Sequence, residues 1–244
     1  MKKGAFIALG IVTFIVSFGL GAASKLLKSP QMKKYSVKWN ESLGTLQKDI
    51  SYGEGEAQKF DLYLPKDDSK KSYGLAVYIH AGGFTSGDKS EDEEMLSWLC
   101  SKGYVAAGIN YTLADEKNHA SVLTQSNEIK AAMPKVVEAA KEAGYPIDKM
   151  TIAGGSAGHA LAMIYAYRDG ADAPVPSVVA YGAYDKMQPF AASKRLKSAL
   201  EENHVDYKYF VLPHSGHGLQ NDNAISLKWI QTVEQYLDKY MPLE

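Results

Sequence analysis

Cysteine is nearly missing from this chain. Cys100 stands alone among 244 residues, so no disulfide within the chain can staple the fold, which must rest on its core. Beside Trp98 and Leu99, in a helical pattern, it reads as a small buried side chain and not as a reactive thiol. Clusters of Cys and His at metal-ligand spacing are also lacking, so no metal site is expected. Neither sign of charge is in excess. The 27 basic and 28 acidic residues leave a formal net charge of -1 without long single-sign runs, which speaks against nucleic acid as a partner and for a neutral or mildly polar small molecule. The sequence has no internal repeat and no low-complexity tract. What it does have is 45% hydrophobic residues, enough at this length for one well-buried core.

The N-terminus is set apart from that core. Lys2 and Lys3 precede an uncharged stretch from Gly4 to Ala23; as a helix it would span about 30 Å, the thickness of a hydrocarbon layer. We therefore read residues 1–35 as a membrane anchor or signal segment with its linker, and 36–244 as the main domain. Gly21 and Ala23 would suit a signal peptidase, but the apolar run is longer than the about 7–15 residues of a signal core. An uncleaved anchor is favoured, with a cleaved leader as the alternative. Lys25 and Lys28 flank the other end, so the positive-inside rule gives only a weak preference for a cytoplasmic N-terminus.

From Gln47 onward, strand and helix patterns alternate. Asp49 to Tyr52 and Gln58 to Leu64 predict an antiparallel hairpin ahead of Pro65. Leu75 to Ile79 and Val105 to Ile109 are short apolar runs of the kind buried on both faces, and Asp92 to Lys102 between them predicts a helix closed by Gly103. A helix over Val122 to Ala143 buries Ile129, Met133, Val136, Val137 and Ala140 on one stripe, with Pro134 expected to kink it and Gly144 to end it. Strand Met150 to Ala153, a helix after Ser156 to about Arg168, strand Ser177 to Tyr181, helix Pro189 to Glu202, strand Tyr207 to Leu212 and helix Ala224 to Tyr240 follow. The last helix has Ile225, Trp229, Val233 and Leu237 as its apolar stripe. Strands alternating with helices of this length predict an α/β fold with a mostly parallel sheet covered on both faces, because parallel connections need crossovers.

The densest chemical signal is Gly154-Gly155-Ser156-Ala157-Gly158, between an apolar strand and a helix. A reactive hydroxyl on so tight a turn needs Gly154 and Gly158 on either side, where a Cβ would strike backbone. The turn offers Ser156 Oγ at the carboxyl end of the sheet, before a helix N-terminus that favours developing negative charge. After the Leu75 to Ile79 strand comes His80-Ala81-Gly82-Gly83-Phe84, whose small residues let N–H groups converge on an oxyanion. We name Ala81 and Gly82 as donors, Gly83 as shaping the loop, and Ala157 as the donor from the serine side. His80 reads as structural.

For the base, His217 is the candidate, in the glycine-flanked loop Pro213-His214-Ser215-Gly216-His217-Gly218. His214, directly after the strand, is its competitor. His119 and His204 read as solvated residues of polar helical surroundings, and His159 as packing beside the site. Asp185, four residues beyond Tyr181, supplies the acceptor that fixes the imidazole tautomer, in the chain order Ser, Asp, His; Asp206 and Asp222 are less well placed.

Together these residues, with Tyr52-Gly53, Phe60-Asp61-Leu62-Tyr63-Leu64-Pro65 and Ser86-Gly87-Asp88-Lys89, resemble the α/β-hydrolase esterases related to hormone-sensitive lipase and to bacterial acetyl-esterase and feruloyl-esterase-like enzymes. The similarity runs from about Asp49 to Leu237. It implies a three-layer α/β-hydrolase sandwich and hydrolysis of short-chain acyl esters through an acyl-enzyme, without cofactor. Some relatives act on acylated plant polysaccharides, which makes an acylated carbohydrate a candidate substrate. In a bacterial cell the domain would be membrane-anchored outside the cytoplasm, or secreted. Ala81 departs from the glycine common in that loop. A larger departure is the interval of 28 residues between Ser156 and Asp185, room for one crossover helix and one strand where two strands and a cap are usual. The sheet is thus expected to be one strand short. If Ser177 to Tyr181 pairs directly beside the serine strand, Asp185 shifts by about 4.8 Å. A serine peptidase of the same fold, or a catalytically impaired membrane-tethered binding protein, are the alternative readings.

Overall fold

The computed structural model describes residues 32–170 and 175–243; the expected anchor from Gly4 to Ala23 lies outside them. Among the described residues no helix is long and apolar enough to cross a membrane. Met32 and Tyr35, ahead of the expected boundary at residue 36, are buried. Tyr35 sets its ring edge-on to Trp98 at 5.1 Å.

Among the described residues seven strands form, β1 (Gly44–Ser51), β2 (Lys59–Pro65), β3 (Tyr73–Ile79), β4 (Val105–Ile109), β5 (Ile147–Gly154), β6 (Ser177–Gly182) and β7 (Tyr207–Leu212). Five α-helices accompany them among the described residues, α1 (Glu93–Ser101), α2 (Val122–Glu142), α3 (Ala157–Ile164), α4 (Phe190–Glu202) and α5 (Asn223–Tyr240). The hairpin is antiparallel as expected but longer, β1 starting at Gly44, with its register broken between Gln47 and Ile50. Helix α2 is started by Ser121 and Thr124, each bonding the other's backbone N–H, and runs unbroken through Pro134.

The strands are ordered β1-β2-β4-β3-β5, with β3, β4 and β5 parallel. One face of this sheet packs Phe60, Leu75, Val77, Ile79 and Ile152 against Ile129, Met133 and Val136 of α2 and Leu161 of α3. The other packs Tyr63, Ala76, Tyr78 and Ala106 against Leu96, Leu99 and Cys100 of α1 and Trp229, Val233 and Leu237 of α5. Three layers result because each helix offers one apolar stripe and each central strand is apolar on both sides.

The ladder stops at β5. Strand β6 is paired in parallel with β7 over six residues, from Ser177↔Tyr207 to Gly182↔Leu212, and among the described residues no ladder joins it to β5. The one-sheet arrangement is thus corrected to a five-stranded and a two-stranded piece. They are joined by side chains: Ala153 of β5 shares a core cluster with Val178 and Ala180 of β6 and Leu212 of β7. Alternate β6 residues, Val179 and Tyr181, face Phe190 and Leu196 of α4, the period-two alternation of a strand covered on both sides.

Candidate active site

Backbone crowding shapes the turn after β5. Ser156 has φ 49° and ψ -112°, a conformation that costs a non-glycine residue about 1–3 kcal/mol. A Cβ on Gly154 would lie 2.3 Å from the Gly158 carbonyl carbon, and one on Gly158 would lie 2.0 Å from the Ile79 carbonyl oxygen and 2.5 Å from that of His80. Both glycines are therefore required sterically. The turn is pressed directly onto the end of β3, where the His80 loop begins.

Ser156 Oγ lies 2.8 Å from His217 Nε2, and His217 Nδ1 lies 2.8 Å from Asp185 Oδ2. A carboxylate only accepts, so Nδ1–H donates to Asp185, and in neutral imidazole Nε2 then accepts from the serine hydroxyl. The other Asp185 oxygen accepts from the N–H groups of Met187 (2.8 Å) and Gln188 (2.9 Å). The Asp185 side chain is 5% exposed and that of His217 is 18% exposed, so the relay is screened from solvent on the acid side and open near the hydroxyl.

Two loops deliver Asp185 and His217, and they are stitched together. Ala183 N–H donates to the Leu212 carbonyl and Tyr184 N–H to that of Ser215, each at 3.0 Å. Gly182 admits the crossing, since a Cβ there would lie 2.2 Å from the Gly216 carbonyl oxygen. Despite the short interval from Ser156, Asp185 reaches His217 through the parallel β6–β7 pair, with no ladder to β5 among the described residues.

In the loop after β3, Gly82, Gly83 and Phe84 all have positive φ (119°, 61° and 70°), and the Gly82 carbonyl accepts from the N–H groups of Thr85 and Ser86. Among the described residues no backbone carbonyl accepts from the N–H of Ala81, Gly82, Gly83 or Ala157, so these donors remain for a ligand oxygen. The Ala81 carbonyl is held by His80 Nδ1–H at 2.6 Å. His80 is buried, its ring stacked on Tyr111 at 4.4 Å, and desolvation lowers its pKa. Farther along, the Lys89 ammonium is buried between Asp61 (3.1 Å) and Asp49 (2.9 Å). Its backbone N–H meets Asn110 Oδ1, and Asn110 in turn donates to Asp88. This polar knot anchors the segment that leaves the loop.

The remaining histidines are engaged or distant. His159 is buried on α3 with Nε2 3.2 Å from Tyr181 Oη, and desolvation pushes its pKa down to about 3. His214 pairs with Asp222 at 2.9 Å. His119 and His204 are exposed as expected, but neither is helical: one lies in the loop before α2 and the other in the turn after α4. Asp206 is taken up by Tyr236, Lys239 and Tyr240. Cys100 is buried and desolvation pushes its thiol up to about 12. Gln188 was not foreseen. It donates its backbone N–H to Asp185 and brings Nε2 to 3.5 Å from the Ser156 carbonyl; the aspartate-led turn of Asp185-Lys186-Met187-Gln188 is its sequence signal. Among the described residues no group of Cys, His, Asp and Glu side chains has the makings of a metal site.

The BD-FAE family model matches residues 60–173. Kynurenine formamidase of Salmo salar is 30% identical over 116 residues, 47% of this chain and 37% of that protein, and kynurenine formamidase of Danio rerio is 35% identical over 66 residues, 27% and 22% of the two chains. The match thus spans well under half the length of these curated relatives. Among solved structures, the apo form of Thermogutta terrifontis esterase 2 superposes with a TM-score of 0.68 at 17% identity, covering 83% of this chain and 97% of that one. A truncated carbohydrate esterase from gut microbiota does so with 0.69 at 14% identity, covering 84% and 99%.

Proposed function

The chain is an α/β hydrolase by fold, and on that premise we propose that it is a serine carboxylesterase acting on short-chain, acetyl-like esters. The observation behind the proposal is the continuous relay from Asp185 through His217 to Ser156 Oγ, with both links at 2.8 Å. In this reading His217 Nε2 takes the hydroxyl proton as Oγ attacks the ester carbonyl. The N–H groups of Ala81, Gly82 and Ala157 receive the oxyanion, Gly83 keeping the loop open; one such donor is worth about 3 kcal/mol of activation energy. The proton passes from Nε2 to the departing alcohol, the acyl group stays on Ser156, and water activated by the same imidazole releases it. Every proton transfer runs through side chains, so the reaction calls for no metal or cofactor.

The candidate substrate is a small ester, with an acylated carbohydrate among the options. Rapid p-nitrophenyl acetate turnover that Ser156→Ala abolishes is the expected result; turnover surviving that substitution overturns the assignment. The similarity to kynurenine formamidases over 116 residues favours a second reading, cleavage of an N-formyl aryl amide by the same machinery. Comparing kcat/KM on the ester, an N-formyl anilide and an aminoacyl amide ranks ester, formamide and peptide cleavage. A fluorophosphonate probe addresses the impaired-protein alternative, since only an activated serine labels. For location, the uncharged run from Gly4 to Ala23 supports an anchored domain outside the cytoplasm, to be checked by membrane fractionation.

A further inference from the structure

Asp222 occupies the position that opens α5, where an aspartate ordinarily turns its carboxylate onto the helix's own first N–H groups. Here it makes no such bond. Oδ2 instead accepts from the His214 N–H (3.0 Å) and the Ser215 hydroxyl (2.5 Å), and Oδ1 pairs with His214 Nδ1 (2.9 Å). The same hydroxyl accepts from the Asn221 N–H at 3.0 Å, and Asn221 Nδ2 donates to the His214 carbonyl at 2.7 Å. The Asp222 side chain is 5% exposed while that of His214 is 77% exposed, so a buried carboxylate grips an imidazole whose outer edge is in water. Five hydrogen bonds thus tie the two ends of the 214–222 loop to each other. Between those ends lie Gly216, His217 and Gly218. Two glycines beside His217 give its backbone wide conformational freedom to be constrained, and a reacting group must be held to within about 0.5 Å.

We propose that Asp222, with His214 and Ser215, forms a clamp that positions His217 against Ser156, diverting a helix-opening carboxylate from the helix to the loop. These are positioning residues, acting only through His217, and the inference rests on the serine esterase reading. The clamp complements the Asp185 side: Asp185 orients the ring, and Asp222 sets the height of the loop from which the ring hangs.

The test is the rate at which a fluorophosphonate labels Ser156 in the full chain, read together with kcat and KM on p-nitrophenyl acetate. Asp222→Asn presents an N–H₂ to two donors and is expected to slow labelling and kcat together by about tenfold to a hundredfold, with KM unchanged and the fraction of protein finally labelled unchanged. Ser215→Ala and His214→Ala each remove part of the clamp and are expected to slow both rates severalfold. His214 is so exposed that its removal leaves the core intact, which keeps the test open if Asp222→Asn folds poorly. Wild-type labelling rates in Asp222→Asn and His214→Ala overturn the clamp. So does a loss of labelled fraction at an unchanged rate, which marks a residue needed only for folding. A wild-type protein that never labels takes down the esterase reading itself, and the clamp with it.

Discussion

The five-stranded piece and the β6–β7 pair hold their functional groups in different ways. On the first, Ser156 and the His80 loop are fixed by backbone against backbone, with no room for a Cβ between Gly154, Gly158 and the end of β3. On the second, Asp185 and His217 sit in loops held by hydrogen bonds to one another and to Asp222. The match to the BD-FAE model ends at residue 173, so it contains the serine but neither the acid nor the base. The comparison teaches that Ser156 and His217 meet across a seam that, among the described residues, no ladder spans. Their alignment rests on a shared core, a His159–Tyr181 contact and the Ser156–His217 bond itself.

The largest effect tests whether the two sides act as one. Ser156→Ala and His217→Ala are each expected to lower kcat by a factor of ~10⁶, and the double variant by little more, because a relay broken on either side is fully broken. Steady-state kinetics on all three variants checks this; additive losses would separate the two sides. Next, Asp185→Asn leaves the loops in place but no longer selects the Nδ1–H tautomer, and kcat is expected to fall about 10⁴-fold with KM kept. A smaller loss follows from Gly182→Ala. Its Cβ meets the Gly216 carbonyl and lifts the base loop, costing about a hundredfold in kcat, while thermal denaturation reports little change because a loop can yield. Gly158→Ala tests the rigid side by contrast, and a drop in melting temperature is expected from overpacking worth about 1–3 kcal/mol or more.

The smallest effect concerns acid. Burial holds His159 neutral down to about pH 3 against an ordinary value of 6.5. The unfolded chain takes up its proton as pH falls through 6.5 while the folded chain does not, so stability is full above 6.5 and declines toward 3, by up to about 1.4 kcal/mol per pH unit. His80, lowered by desolvation in the same way, adds to the decline. Asp88 enters later: burial would raise it, but hydrogen bonds from Ser90 and Asn110 prevail and hold it at about 2 against an ordinary 3.8, so its contribution is lost only below about pH 4. Melting temperatures of wild type and His159→Gln between pH 7 and 4 should show a shallower slope in the variant; equal slopes would remove His159 from the seam's acid response.

The sequence announces what local pattern encodes. Val105 to Ile109 and Tyr207 to Leu212 are strands with the expected bounds, and the glycines around Ser156 foretell a turn that only small residues permit. Periodicity says which face a strand buries but not which strand lies beside it, so the gap between β5 and β6 was not legible. Asp61 is hidden for a related reason. An aspartate in a strand reads as solvent-facing, yet here both faces are covered and Lys89 balances it. His119 and His204 sit among helix-compatible residues, and a loop and a turn took them instead. Asp222 was legible only as a rival acid, because its value lies in partners seven and eight residues back in a loop of no fixed period.

The press of Gly158 against the carbonyls of Ile79 and His80 has a consequence for how such a protein diversifies. In the proposed esterase reading, the Ser156 hydroxyl and the His80 loop that would receive the anion form a single casting, so neither can be retuned without the other. On that reading, substrate range is left to be changed at positions that carry neither the relay nor its clamp, such as the exposed Tyr184 and Met187 beside Asp185.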